Sequence, residues 1–133
     1  MRSTGTFEVA SFEPVDVTLA PAIETALPIG LARMEKTYTG GVTGRSATLF
    51  TAAYGGEVGT YLAMEAFEGS LDGRSGTFAY VHSAATSGAD RSDEFFHVVA
   101  GSGTGELTGI RGGGSLGVDA DGTHRIAFDY ELD

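Results

Sequence analysis

The stretch Phe67-Glu68-Gly69-Ser70-Leu71-Asp72-Gly73-Arg74-Ser75-Gly76-Thr77-Phe78 decides how this chain folds. An Asp-Gly pair between two alternating runs predicts a two-residue type I′ hairpin, because both central positions of that turn require positive φ. The turn sets register. Leu71 faces Arg74, Phe67 faces Phe78, Glu65 faces Tyr80 and Ala63 faces His82, all projecting from one side of the ribbon. Leu62, Met64, Ala66, Ala79 and Val81 fall on the other side.

Outward from this hairpin the same grammar repeats. The 21 glycines punctuate short runs rich in Val, Thr, Phe and Tyr rather than clustering in a linker. Strands are expected near 5–12, 31–39, 43–54, 58–69, 75–84, 93–100, 104–118 and 123–132. Eight strands joined by hairpins predict an all-β fold, a single eight-stranded antiparallel β-barrel over residues 1–133, since closure removes exposed edges. A two-sheet sandwich is the competing architecture. All three prolines, Pro14, Pro21 and Pro28, lie between Glu13 and Gly30, so 13–30 is expected to be a long loop. Residues 22–27 could form one helical turn, and the loop could serve as a lid or as a passive flap over one barrel end.

Further turns extend the register. Asp121-Gly122, treated as a two-residue turn, sets Gly117 against Ile126 and Gly113 against Tyr130. Gly55-Gly56 and Gly40-Gly41, treated likewise, put Phe50 beside Tyr61, Thr48 beside Ala63 and Ser46 beside Glu65. One continuous face then carries Arg33, Glu35, Ser46, Thr48, Phe50, Tyr61, Glu65, Phe67, Phe78, Tyr80 and His82. The opposite face is small and aliphatic. Neither resembles an ordinary solvated surface, so one is expected to line the lumen and the other to pack on a second subunit or on the loop.

Composition narrows the function classes. The chain has 133 residues, 41% hydrophobic, and a mean hydropathy of +0.02, which suits a folded globule. No cysteine is present, which excludes disulfides, thiolate metal sites and a cysteine nucleophile. The net charge of −10 argues against nucleic acid as a partner, because such a surface repels phosphate backbones. No stretch is long and apolar enough for a membrane span, and no signal segment follows Arg2, so a cytoplasmic protein is expected.

Several segments carry a family likeness: Gly5-Thr6-Phe7-Glu8-Val9; Phe67 to Phe78 with His82-Ser83; Gly101-Ser102-Gly103-Thr104-Gly105-Glu106-Leu107 with Gly109 and Gly112; and Phe128-Asp129-Tyr130-Glu131-Leu132. Together they resemble the bacterial domain of unknown function 3224 family, nearly end to end. The resemblance implies an eight-stranded barrel similar to allene oxide cyclase (calycin-like), related to dirigent proteins and to cyclases of natural-product pathways. It favours barrel over sandwich. Phe12 stands where the family often has tryptophan, Ala66 where arginine is common, and Ala100 where proline usually precedes the glycine-rich run. No catalytic set is carried over by the likeness.

Individual motifs suggest no metal and no cofactor. The glycine-rich run 101–117 lacks the Gly-Lys-Ser/Thr of a phosphate loop, and Gly113-Gly114-Ser115-Leu116-Gly117 reads as strand rather than as a nucleophile elbow. Asp119 and Asp121 are better explained by a hairpin turn than by a calcium loop. His82, His97 and His124 lack the paired spacing typical of metal sites. The informative group is Glu65 with His82 and Tyr80, which the hairpin register makes neighbours. A carboxylate and an imidazole in an aromatic lumen suit proton transfer without a cofactor, although a satisfied structural pair is the simpler alternative.

The resulting expectation is a barrel that binds a hydrophobic small molecule, and a cofactor-free isomerase or cyclase if it is an enzyme. Glu65, His82 and Tyr80 are the candidate catalytic residues. Arg33, Glu35, Phe50, Tyr61, Phe67 and Phe78 are the candidate substrate-binding residues. A non-catalytic carrier or sensor, and a structural barrel with a filled lumen, are the alternatives. A homo-oligomer, dimer or trimer, is the expected assembly.

Overall fold

The computed structural model describes residues 1–88 and 90–133 and is built almost entirely of strands. These are β1 (Arg2–Val15), β2 (Ile29–Gly40), β3 (Val42–Gly55), β4 (Val58–Leu71), β5 (Arg74–Ser87), β6 (Asp90–Val98), β7 (Arg111–Val118) and β8 (His124–Glu131). Each strand pairs antiparallel with the next, and β8 returns to β1, closing a ring of eight. The ring is tight except between β6 and β7, where His97 opposite Gly113 is the one rung described.

The central hairpin has the register the sequence predicts: Leu71 faces Arg74, Phe67 faces Phe78, Glu65 faces Tyr80 and Ala63 faces His82. Asp72 and Gly73 both have positive φ, at 46° and 87°, as a type I′ turn demands. Three other register expectations are corrected. The β3–β4 turn centres on Gly56-Glu57, so Phe50 pairs with Ala63, Thr48 with Glu65 and Ser46 with Phe67. That slip of two residues leaves every side chain on its expected face.

The β2–β3 connection differs by one residue instead. Lys36 faces Ser46, Tyr38 faces Gly44, and Arg33 and Glu35 pair with Leu49 and Ala47. An odd slip exchanges the faces, so Arg33 and Glu35 are exposed outside the ring while Lys36 is buried inside it. The β7–β8 hairpin is also one residue out, with Gly112 opposite Tyr130 and Leu116 opposite Ile126. Its loop has three residues, closed by bonds from Gly122 N to Asp119 O and from Asp119 N to Thr123 O, and a lone positive φ at Gly122.

The strand expected over 104–118 begins only at Arg111. Before it a short 3-10 turn, Gly105–Leu107, crosses one end of the ring and inserts Leu107 and Ile110 into the core. The loop expected over 13–30 is shorter, spanning 16–28, and residues 22–27 contain no helical turn. The interior is filled by aromatic rings. Phe7, Tyr38, Phe67, Phe78, Tyr80, Phe96, Phe128 and Tyr130 form one cluster, with Tyr80 stacked on Phe96 at 5.0 Å and Phe128 edge-on to Tyr80 at 5.2 Å. Fully burying each such ring contributes about 1.5–3 kcal/mol. One end of the ring is thus plugged and its middle is solid.

Candidate functional site

Inside the ring the polar side chains divide into two groups at different depths. The deeper one centres on Glu65, whose side chain is completely buried and which accepts from four donors. Oε2 takes the Lys36 ammonium at 3.0 Å, and Oε1 takes Thr48 at 2.9 Å, Ser46 at 3.1 Å and Tyr38 at 3.3 Å. The Lys36 ammonium also lies 4.8 Å from the centre of the Phe7 ring. The Tyr38 hydroxyl is 2.7 Å from that of Tyr80 and 2.9 Å from Ser46 Oγ.

Burial, followed by the negative charge of Glu65, pushes both Tyr38 and Tyr80 above the ordinary phenol range, so both stay protonated. No buried side-chain N or O among the described residues lacks a partner. A buried carboxylate with both oxygens engaged by donors from neighbouring strands is arranged to hold strands β2, β3 and β4 together.

The second group lies nearer the open end. His82 is 2% exposed and is held from both sides, with Nδ1 2.9 Å from the Tyr61 hydroxyl and Nε2 3.0 Å from Glu94 Oε2. Phe96 packs edge-on against the imidazole at 5.6 Å. Glu94 reaches this position from a bulge: Ser83 faces Phe95 and Ala85 faces Ser92, so Asp93 and Glu94 together oppose Ala84, with Asp93 at a φ of 54°. Desolvation lowers the His82 pKa below its usual value, although the Glu94 carboxylate pulls the other way. Burial raises that of Tyr61.

Beyond these residues the interior opens into an apolar cup of about 400 Å³. Phe12, Pro14, Gly30, Ala32, Phe50 and Ala52 line it, with Pro28 and Tyr54 at its rim. Phe12 meets Phe50 edge-on at 5.7 Å, and Phe50 in turn packs on Tyr61 at 5.3 Å. The 16–28 loop borders the cup and is anchored there by Tyr54 N donating to Pro28 O at 3.3 Å. A larger concavity of about 820 Å³ lies outside the ring, lined by Arg2, His97, Arg111 and Asp129. Its cations are already occupied: Arg2 binds Asp129, and Arg111 binds Glu131 and Asp133.

The structure therefore separates the residues proposed from sequence. Glu65 and Tyr80 belong to the sealed network, His82 and Tyr61 to the outer group, and Phe50 to the cup. Phe67 and Phe78 touch each other at 5.0 Å within the solid core. Arg33 and Glu35 lie outside the ring and touch neither group. Lys36, Glu94 and Phe12 were not foreseen as site residues. The alternation Glu94, Phe96, Val98 was the available signal for Glu94, since it places that carboxylate on the buried face of its strand. Among the described residues no cluster of His, Asp and Glu is placed to hold a metal ion, and no helix is long and apolar enough to cross a membrane.

Comparison with known proteins places the chain in a family. Residues 3–130 match Protein of unknown function (DUF3224), and the chain belongs to that family. A crystal structure of a DUF3224-family protein of unknown function from Shewanella oneidensis MR-1 superposes with a TM-score of 0.85 at 27% identity, covering 100% of this chain and 98% of that one. The search of functionally curated proteins gave no match.

Proposed function

We propose that the protein binds a small, predominantly apolar molecule in the cup at the open end of the ring. One observation carries this reading: Phe12 remains 52% exposed although it belongs to the wall of an interior cup that also includes Phe50, Pro14, Gly30, Ala32 and Ala52. Ligand sites are commonly concave, apolar and a few hundred Å³ in volume, with a small number of polar groups beside them. The ring below the cup is filled by its own side chains, so the ligand would stop at the level of Phe50 and Tyr61 rather than traverse a lumen. In this reading the fold is an allene oxide cyclase-like barrel used at its mouth. Any cofactor-free isomerase or cyclase chemistry would fall to the outer group rather than to Glu65.

The test uses the neutral fluorophore N-phenyl-1-naphthylamine. Phe12→Ala and Phe50→Ala each remove a ring from the wall and are expected to weaken its binding about tenfold or more, in line with about 1.5–3 kcal/mol for a buried aromatic. Arg33→Ala, on the outer face, should leave binding unchanged. Equal affinity in all three variants would rule out the cup as the site.

The outer face favours self-association as a further proposal. Leu49, Leu62, Met64 and Phe95 are each between 47% and 55% exposed, and Leu49 and Met64 flank a shallow floor formed by Ala47, Ala66 and Ala79. Protruding side chains beside a small-residue floor are a shape that packs on another copy of the same chain. We expect light scattering to give a dimer or trimer, and Leu49→Lys with Met64→Lys to give a monomer. A monomeric wild-type protein at micromolar concentration would refute the proposal.

A further inference from the structure

We propose that Tyr61, His82 and Glu94 form a proton relay between the cup and solvent, and that its substrate is an apolar carbonyl compound with an acidic hydrogen on the adjoining carbon. The inference rests on the cup being the ligand site. It assigns to the outer group a task that nothing in the packing requires of it.

The proton arrangement follows from hydrogen-bonding capacity. A carboxylate only accepts, so the 3.0 Å contact from Glu94 Oε2 places the imidazole hydrogen on Nε2. Nδ1 is then a bare lone pair, and the 2.9 Å contact with Tyr61 is the phenol donating to it. The result is a hydroxyl, an imidazole and a carboxylate in series, the order in which a hydroxyl group is activated in acyl-transfer enzymes. Here the hydroxyl belongs to a phenol.

The two ends of the series lie in different surroundings. Tyr61 packs at 5.3 Å on Phe50, whose ring lines the cup, whereas the Glu94 side chain is 30% exposed and has Arg91 Nη1 at 3.9 Å from the same oxygen that binds His82. Between them the imidazole is sealed under Phe96 and kept neutral by desolvation. The charged or titratable groups acting on it are Tyr61, Glu94, Arg91 and, from the deeper network, Lys36. Glu94 works through His82 and is a positioning residue. It is held in place by a bulge in which Asp93, not a glycine, occupies the left-handed region.

The step balances without a co-reactant. The carbon–hydrogen bond of the bound ketone breaks, and its proton moves to the Tyr61 oxygen as the phenol's own proton moves to His82 Nδ1. The electron pair left on carbon becomes the carbon–carbon double bond of an enolate, with the charge on the former carbonyl oxygen. The new imidazolium is paired with Glu94. Reversal returns a proton to the same carbon or, in a conjugated enolate, to a more distant one, which is an isomerisation.

The probe is 2-tetralone in deuterium oxide, with hydrogen exchange at its acidic carbon followed by proton NMR and its binding by displacement of N-phenyl-1-naphthylamine. Wild-type protein is expected to accelerate exchange by about a hundredfold over buffer, within the usual range for positioned acid–base groups. Tyr61→Phe and His82→Gln should abolish the acceleration while displacement stays within about threefold. Glu94→Gln should keep part of the rate but move its pH midpoint to lower pH, because the carboxylate supports the imidazolium. Nitrogen-15 NMR of the wild-type protein should find the His82 hydrogen on Nε2.

Displacement without accelerated exchange would overturn the relay and leave the cup intact. Failure of 2-tetralone to displace the fluorophore, with Phe12→Ala and Phe50→Ala also without effect on the fluorophore, would overturn both. An Nδ1–H tautomer would overturn the relay whatever the variants did.

Discussion

Replacing Lys36 with methionine is expected to destabilise the protein by about 3–5 kcal/mol, the usual cost of leaving one member of a buried ion pair without its partner. The Lys36 and Glu65 side chains are 6% and 0% exposed, so neither can turn to water when the other is removed. Ser46, Thr48 and Tyr38 would still donate to Glu65, but three neutral hydroxyls do not balance a full charge in an apolar interior. In a domain of this length the loss corresponds to a fall in Tm of roughly 10–20 °C. Urea unfolding monitored by circular dichroism measures it directly. The double variant Lys36→Met with Glu65→Gln should recover about half of the loss, because the amide oxygen can still accept from the hydroxyls and no net charge is left buried. A single-variant cost below about 1 kcal/mol would mean that the pair is hydrated, as exposed pairs are.

The same pair bears on how catalysis at Glu65 is to be judged. Glu65→Gln leaves a buried ammonium without a counter-charge, so loss of turnover in that variant would report on the fold as much as on chemistry. Variants at Tyr61, His82 and Glu94 avoid this difficulty. None of them is the counter-charge of the buried ammonium, and the two sets touch only through space, by the field of Lys36 at His82 and of Glu65 at Tyr61.

How far the sequence could be read depended on turns, and the two Asp-Gly pairs illustrate why. Asp72-Gly73 adopts positive φ at both positions, and the hairpin it closes has the expected register throughout. At Asp121-Gly122 only Gly122 does, within a loop one residue longer, and every partner along β7 and β8 moves by one. The dipeptide alone does not distinguish these turns, because a type I turn followed by a left-handed glycine also accepts it. Gly55-Gly56 and Gly40-Gly41 differed in the parity of their errors. An even slip kept Phe50, Thr48 and Ser46 inside, whereas an odd one exchanged Arg33 and Glu35 for Lys36 and Tyr38.

The candidate site was obscured for related reasons. Lysine is rarely buried without a partner, and its partner here comes from a different hairpin, so local pattern gave no reason to place Lys36 inside. Glu94 shares the inner face with Phe96 and Val98 by alternation, but the bulge in β6 that doubles Asp93 and Glu94 opposite Ala84 ends that alternation, and an irregularity of this kind has no simple compositional mark. The aromatic positions were clearer. Phe67, Phe78 and Tyr80 follow strict alternation from a well-defined turn, and they are buried as that alternation requires.

Gly44→Ala is expected to cost about 3–5 kcal/mol, combining an unfavourable backbone conformation with overpacking between strands. Gly44, Gly69 and Gly76 form one rung across β3, β4 and β5, where the ring bends toward its plugged end. At Gly44 φ is 141°, and a Cβ built there would overlap Glu68 O and lie 2.7 Å from Gly69 Cα. Those obstacles are backbone, which cannot yield by changing a rotamer. Gly56→Ala provides the control: its φ is also positive, at 62°, but nothing lies within 4 Å of the added carbon. That variant should cost only about 1–2 kcal/mol, the conformational penalty alone. The difference between the two, read from urea midpoints at constant m, isolates the price of bringing three strands close enough to close the ring. Equal losses at the two positions would show that no such close approach exists at Gly44, and that the curvature of the sheet arises elsewhere.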